Sequence, residues 1–274
     1  MSVLILTLDE ETNIPSCLAS VAWSDDIVVL DSGSNDNTCG LAAELGARVV
    51  HRRFDSYAGQ RNFGLKEITY KHDWILMIDA DERVPADLRD EILEKTRSGT
   101  EEITLYLMRR RDHLFGRWIR HSSGYPTWFG RLGRRGEVWV ERPINEIYHT
   151  SGNTGRLQGH LHHYPFNKGF SAWIAKHNVY SSMEAELLMA PSHQRSSVAA
   201  ICSRDPVVRR QAQKRVAYAL PGRPLLIFFA LYLFKGGFLE GRAGLTFCLL
   251  RTWYEYMIDC KHRELLHRRQ GLPV

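Results

Sequence analysis

Three carboxylates fall within four positions at Asp79-Ala80-Asp81-Glu82, directly after the apolar run Trp74–Ile78. The run reads as a strand buried on both faces. Two acidic side chains two positions apart at its carboxyl end point the same way. Hard divalent cations take oxygen ligands of this kind, and Mg²⁺ in particular is usually held by one or two carboxylates plus substrate phosphates. A polar turn after a strand would carry the same letters, and Asp-x-Asp alone is a weak motif. Two more segments strengthen it: Thr7-Leu8-Asp9-Glu10-Glu11 and Asp31-Ser32-Gly33-Ser34-Asn35-Asp36 also follow strand-like runs. Three acidic strand ends in succession are hard to obtain from solvated turns.

The elements that would position these groups alternate. Strand-like runs at Val3–Leu8, Ile27–Leu30, Arg48–His51 and Trp74–Ile78 enclose helical stretches at Ile14–Ala22, Thr38–Gly46 and about Gln60–Glu67. That order predicts an α/β domain with a mainly parallel, Rossmann-like sheet, whose ligands bind beyond the carboxyl ends of the strands. Asn13 before Ile14-Pro15 and Asp36 before Asn37-Thr38 are expected helix caps, and Gly46 an expected stop. Pro85 opens a helix to about Ser98, where Gly99 ends it. No G-x-G-x-x-G follows the first strand and no G-x-x-x-x-G-K-[ST] occurs, which disfavours a dinucleotide oxidoreductase and a P-loop NTPase.

Past residue 100, Ile103–Met108 reads as a strand and leads into a basic, aromatic stretch from Arg109-Arg110-Arg111 to Trp128-Phe129-Gly130-Arg131. That stretch suits a sugar or phosphate pocket, or a solvated basic face with its aromatics in the core. His160-Leu161-His162-His163 matches no common zinc spacing, though one histidine could complete a carboxylate site. Ser171–Leu188 reads as a helix and Pro191-Ser192-His193-Gln194 as a break.

At 274 residues, 44% hydrophobic and 24% charged, the chain can bury a full core. Its five cysteines (Cys17, Cys39, Cys202, Cys248 and Cys260) form no C-x-x-C pair, which points to a reducing compartment, and no secretory signal is evident. Charge is uneven: residues 195–274 hold 14 Lys and Arg against 5 Asp and Glu. The longest apolar runs, Leu225–Phe234 and Gly244–Leu250, lie in that same third. Neither reaches the ~20 residues of a spanning helix. Basic residues interleaved with apolar ones, with Trp253, Tyr254 and Tyr256 alongside, suit an anionic membrane surface better than a nucleic acid. Packing back on the domain or on a partner chain is the alternative.

Taken in order, Thr7–Ile14, Asp31–Thr38, Gly59–Gly64 and Asp79–Glu82 resemble the motifs of family 2 glycosyltransferases of the GT-A fold. Leu114–His121, Pro143–Glu146, Leu161–Tyr164 and Gly237–Leu245 are similar to the lipopolysaccharide core β-1,4-glucosyltransferase branch, so the likeness covers nearly the whole chain. Many family members carry two consecutive aspartates where this chain has Asp31-Ser32. The resemblance implies a GT-A domain over residues 1–215, with a nucleotide-sugar half at about 1–100 and an acceptor half at about 101–190. A basic, apolar, helical, membrane-associated tail would occupy 216–274.

It also implies roles. Thr7, Glu10, Asp31 and Ser32 would line the nucleotide pocket, with Asp31 near the uracil of a UDP-sugar. Arg61 would lie near the donor phosphates. Asp79 would contact ribose or metal, Asp81 would hold Mg²⁺ or Mn²⁺, and His163 would be an extra ligand. Such enzymes invert the transferred sugar, so a base must take the acceptor hydroxyl's proton. Glu146 is the expected base, with Glu141 in reserve. The sugar would be glucose or another hexose or heptose, and the acceptor a lipopolysaccharide core or another lipid-linked saccharide. The enzyme would sit in the cytoplasm, peripheral on the inner face of the cell membrane. A metal-dependent phosphatase or nucleotidyltransferase also uses clustered aspartates. A haloacid-dehalogenase phosphatase would want Thr or Val where Arg83 stands. A non-catalytic membrane scaffold would have no need of the acid motifs.

Overall fold

The computed structural model describes residues 1–98, 102–142, 146–189 and 222–274. They form two compact units, Met1–Arg120 with Gly124–Gly169, and His121–Ser123 with Phe170–Val274. In the first, chain order begins β1 (Ser2–Thr7), α1 (Ile14–Val21), β2 (Asp26–Asp31), α2 (Thr38–Glu44), β3 (Arg48–His51), α3 (Tyr57–Lys66) and β4 (Trp74–Asp79). It continues β5 (Glu82–Arg83), α4 (Ala86–Ser98), β6 (Ile103–Leu114), β7 (Arg117–Trp118), β8 (Trp128–Arg134), β9 (Val138–Glu141), β10 (Ile147–Thr150) and β11 (Asn153–His163).

One sheet runs β3-β2-β1-β4-β8-β6-β11-β5, with β7 paired to β6, and β9 and β10 form a separate hairpin. The first four strands in that order are parallel. β8 then runs antiparallel to both β4 and β6, while β11 is parallel to β6. The parallel character predicted from the alternation thus belongs to residues 1–79, and the rest of the sheet is mixed. The central strands lack an apolar-polar rhythm because both faces are covered. Val3, Ile5, Leu76 and Ile78 enter one core, and Leu4, Ile75 and Met77 the other.

Local signals fare unevenly. Gly46 takes φ +84 after α2, as a helix stop requires. Asp36 accepts from the Thr38 amide at 3.0 Å. Asn13 makes no side-chain cap bond; its amide donates to Glu10 Oε2 instead. α3 begins three residues earlier than expected because Ser56 caps it, accepting from the Gly59 amide at 3.0 Å. β6 runs on to Leu114, since a strand whose two faces are both polar at one end carries no apolar alternation to read. The expected stop at Gly99 lies outside the described residues.

In the second unit, α5 (Gly169–Met189) precedes α6 (Arg223–Phe229), which continues as a π-helical turn, Ala230–Phe234. A 3₁₀ turn (Gly237–Glu240) leads into α7 (Gly241–Gln270). The apolar run at Gly244–Leu250 is therefore part of a 30-residue helix and not a short one. Arg223 pairs with Glu255 and Asp259, tying α6 to α7. Glu240 accepts from the His121 amide and the Ser122 hydroxyl at 2.7 and 2.6 Å. Among the described residues no single helix is long and apolar enough to cross a membrane. Arg223–Phe234 and Gly237–Gln270, bent by 68°, pass that test only as a pair. The Pro191 break, Cys202 and the expected boundary at 215/216 lie outside the described residues.

Candidate active site

Parallel pairing brings the acidic strand ends together. In register, Thr7 lies beside Asp31 and Leu6 beside Asp79. The loops after β1 and β2 are laced to each other. Asp9, at φ 54, accepts from the Asn35 amide at 2.7 Å and donates its own amide to Ser34 Oγ at 2.8 Å. The Glu10 amide donates to Thr38 Oγ1 at 2.7 Å. Asp31 is buried and anchors this lacing. Oδ1 accepts from Thr7 at 3.0 Å and from the Ser34 hydroxyl at 2.5 Å, while Oδ2 accepts from the Gly33 and Ser34 amides at 2.9 Å each. Burial pushes its pKa up, but these hydrogen bonds outweigh burial and leave it below the usual carboxylate value. A carboxylate offers about four lone-pair sites, all used here. Asp31 thus holds the two loops together from within. Ser32 Oγ accepts from Gln60 at 2.8 Å, and Glu10 receives Lys168 at 3.1 Å. Burial and Asp81 nearby raise the Glu10 pKa, against Asn13 and Lys168.

Asp79 ends β4 between two guanidiniums. Arg61 reaches its Oδ1 at 2.7 Å and Arg131 its Oδ2 at 2.8 Å. Arg61 also donates through Nε to Glu146 Oε1 at 2.7 Å, and Arg131 bonds Glu82 at 2.9 Å. Arg61 is only 2% exposed. It is a clamp between two carboxylates. Burial presses its pKa down, but Asp79, with Tyr148 and Glu146, outweighs burial and raises it. Arginines thus hold both oxygens of Asp79. Arg131 owes its reach to a bulge: Tyr106 pairs with Leu132 but Leu107 with Gly130, so Arg131 is the extra residue of β8. Tyr148 lies against Gly130, where a Cβ would come within 2.6 Å of its ring, and its hydroxyl accepts from Arg131 at 3.3 Å.

Asp81 belongs to a second cluster. Its Oδ2 is 3.2 Å from His163 Nε2, and His163 Nδ1 meets Asp112 Oδ1 at 2.7 Å. Arg110 holds Asp112 at 3.0 Å. Burial and Arg110 press the His163 pKa down, but the carboxylates on either ring nitrogen carry it up to about 9. Asp81 and His163 offer an oxygen and a nitrogen side by side, a donor pair that fits a divalent cation also bound by diphosphate oxygens. Among the described residues, the one trio of metal-type donors within 4.8 Å is Asp31, Cys39 and His51. It is not a credible ion site, because Asp31 is saturated and burial pushes the Cys39 thiol up to about 11.

Glu146 sits at the start of β10, bonded to Arg61. Glu141 is exposed and pairs with His149 across the β9–β10 hairpin at 3.2 Å. Arg131, Asp112 and Tyr148 escaped the sequence reading, and Glu82 entered it only as part of the acidic strand end. Arg131 and Asp112 lie inside the basic, aromatic stretch, but nothing in the stretch says which of its residues turns inward.

Residues 2–171 match the family model described as glycosyl transferase family 2, a match ending two residues past the first unit. The chain belongs to glycosyl transferase family 2. This family 2 glycosyltransferase is an enzyme of mixed α/β, GT-A-like fold, and the scaffold, phosphatase and nucleotidyltransferase readings fall. It is 28% identical to the lipopolysaccharide core biosynthesis glycosyltransferase LpsC of Rhizobium meliloti, over 91% of this chain and 89% of that protein. It is 36% identical to an uncharacterized glycosyltransferase of Rickettsia conorii, over 96% and 90%. A solved glucosyl-3-phosphoglycerate synthase from Mycobacterium tuberculosis, in complex with Mn²⁺, UDP and glucosyl-3-phosphoglycerate, is similar at 27% identity and TM-score 0.34. That likeness covers 41% of this chain and 43% of the solved one.

Proposed function

We propose that this enzyme transfers a hexose or heptose, with inversion, from a UDP-sugar to a lipopolysaccharide core or another lipid-linked saccharide, at the cytoplasmic face of a membrane. The observation that carries the reading is the convergence of the Thr7–Asp31 loop pair, Asp79 and the Asp81–His163 pair at the strand ends of the unit that matches the family. Family membership and the likeness to LpsC support the donor class and the acceptor class.

Three arginines (Arg61, Arg110, Arg131) face five carboxylates (Asp79, Asp81, Glu82, Asp112, Glu146), and His163 would release its proton on ligating a metal. The remaining negative charge suits a divalent cation. Bound at Asp81 and His163, Mg²⁺ or Mn²⁺ would neutralise charge on the departing nucleotide diphosphate. The chain's own work is then positional. The laced loops hold the nucleotide, and the two arginines hold Asp79 at the edge of the pocket. Glu146, steadied through Oε1 by Arg61, receives the acceptor's proton on Oε2 as the hydroxyl attacks the anomeric carbon. The membrane reading draws on exposed Leu225, Leu226, Phe229, Leu233, Phe234, Phe238 and Leu239, which crowd one bend.

A thermal-shift panel of nucleotide sugars tests the reading. Stabilisation by a UDP-sugar only with Mn²⁺ or Mg²⁺ present is expected, and indifference to every nucleotide sugar with metal would overturn it.

A further inference from the structure

β6 carries two different faces beyond the bulge of β8. Tyr106, Met108, Arg110 and Asp112 alternate toward the core of α1 and α4 and the Asp81 cluster. Leu105 and Leu107 enter the other core, the one that also holds Val140 and Tyr148, so Arg109, Arg111 and His113 share the sheet face of Tyr148. Trp128 pairs with Arg109 three residues along β8 from Arg131, the residue that grips Asp79. The strip therefore begins beside the site and runs outward.

Its chemistry is one-sided. Trp128 lies under two guanidiniums, those of Arg109 at 5.1 Å and Arg156 at 5.0 Å. Trp118 lies under Arg111 at 4.6 Å and Arg120 at 5.6 Å. Among the described residues no carboxylate pairs with any of these four arginines, whereas Arg61, Arg110 and Arg131 are each paired. Arg109 Nε, Arg111 Nε and Trp118 Nε1 also lack acceptors. Asp87 is the acidic group that acts on the neighbouring His160 and His162. Burial, with Arg111 and Arg109 beside it, pulls the His160 pKa down to about 4, so it stays neutral. Arg109 Nη2 donates to the Gln158 carbonyl and Arg111 Nη2 meets His160 Nδ1 at 3.3 Å. Four guanidiniums with no carboxylate partner on two indoles still make a surface complementary to a compact anion, and the planar fork of arginine suits phosphate oxygens. We propose that this strip binds the phosphate of a phosphorylated saccharide acceptor and presents its hydroxyl toward Glu146. The proposal rests on the transfer reading and deepens it by naming the acceptor's charge class.

The test is calorimetric titration of the full chain with UDP and Mn²⁺, then separately with glucose 6-phosphate, inorganic phosphate and glucose. Glucose 6-phosphate should bind, phosphate should compete with it, and glucose should not bind. The R109Q/R111Q double variant should weaken glucose 6-phosphate about ten-fold or more, the cost of one lost charge-assisted contact, with UDP binding unchanged. Exposed Arg120→Gln, which makes no buried bond, guards against misfolding and should weaken it by a smaller factor. Undiminished binding in both variants, or none in the wild type while UDP binds, would overturn the proposal. So would variants that lose only attachment to phosphatidylglycerol vesicles, which would make the strip a lipid surface. Failure of UDP to bind would strike the transfer reading alone, since the phosphate titration stands without it.

Discussion

Arg61 and Glu146 lie 85 positions apart in the chain and meet in a 2.7 Å ion pair whose guanidinium also holds Asp79. The pair links the donor-side strand end to the residue proposed as base, so the two cannot move independently. Because Arg61 is buried, its removal leaves two carboxylates without their shared cation. Arg61→Met should cost about 3–5 kcal/mol, the usual penalty for breaking a buried pair. Urea denaturation reads it, and a loss under 1 kcal/mol would mean that the clamp is slack.

Glu146→Gln keeps the shape and a hydrogen bond to Arg61 but cannot take a proton. Transfer should fall by about 10²–10⁴-fold while UDP binding with Mn²⁺ persists. Undiminished turnover would move the base elsewhere, with Glu141 the next residue to test.

Gly130 is small because Tyr148 lies on it. Gly130→Ala puts a Cβ 2.6 Å from the Tyr148 ring and must push that ring off the strand, away from Arg131. Overpacking of this kind costs about 1–3 kcal/mol. Thermal melting should show the loss together with a raised donor KM, and a variant as stable and active as wild type would deny Tyr148 its place.

His177 stacks on Trp173 with ring centroids 3.6 Å apart and meets Tyr254 edge-on, while its Nδ1 faces the Trp173 carbonyl at 2.8 Å. Burial, helped by Lys176 and Arg251 and opposed by that carbonyl, lowers its pKa to about 4. The unfolded chain then takes up a proton near the ordinary histidine value, before the folded one does. The histidine's contribution is present above about pH 6.5 and lost as pH falls toward 4. Melting temperature should drop across that window and drop less in His177→Phe, which keeps the stacking. Equal slopes would exclude His177 as the source.

At the bend between α6 and α7, Leu225, Phe234 and Leu239 are 63%, 88% and 63% exposed. All three side chains are largely exposed, so their replacement by Gln should disturb the described fold little. Sedimentation with anionic vesicles should weaken about a hundred-fold or more, each buried apolar side chain being worth about 1.5–3 kcal/mol. Retained sedimentation would take the bend out of the membrane.

Much of the first unit could be read from the chain because its signals are local. An apolar run ending in acids says where β4 stops, and Gly46 marks the end of α2 within a turn of itself, whereas the equally local Ser56 cap of α3 went unread. Asp81 beside His163 was also within reach, through a resemblance. Asp31 shows the limit: only the laced loops reveal that its carboxylate accepts from Thr7, Gly33 and Ser34.

The sequence by itself determined the alternating parallel half of the sheet, the three acidic strand ends and the apolar, basic tail, because helix period, strand period and turn chemistry act between near neighbours. Only the tertiary structure decided what those acids touch. Arg131 meets Asp79 across 52 positions, Asp112 meets His163 across 51, and Arg61 bridges to Glu146 across 85. One of these contacts depends on a single-residue bulge in β8. Pairings at such separations follow from strand register and from the need of buried charges for partners. Neither leaves a periodic trace in the order of residues.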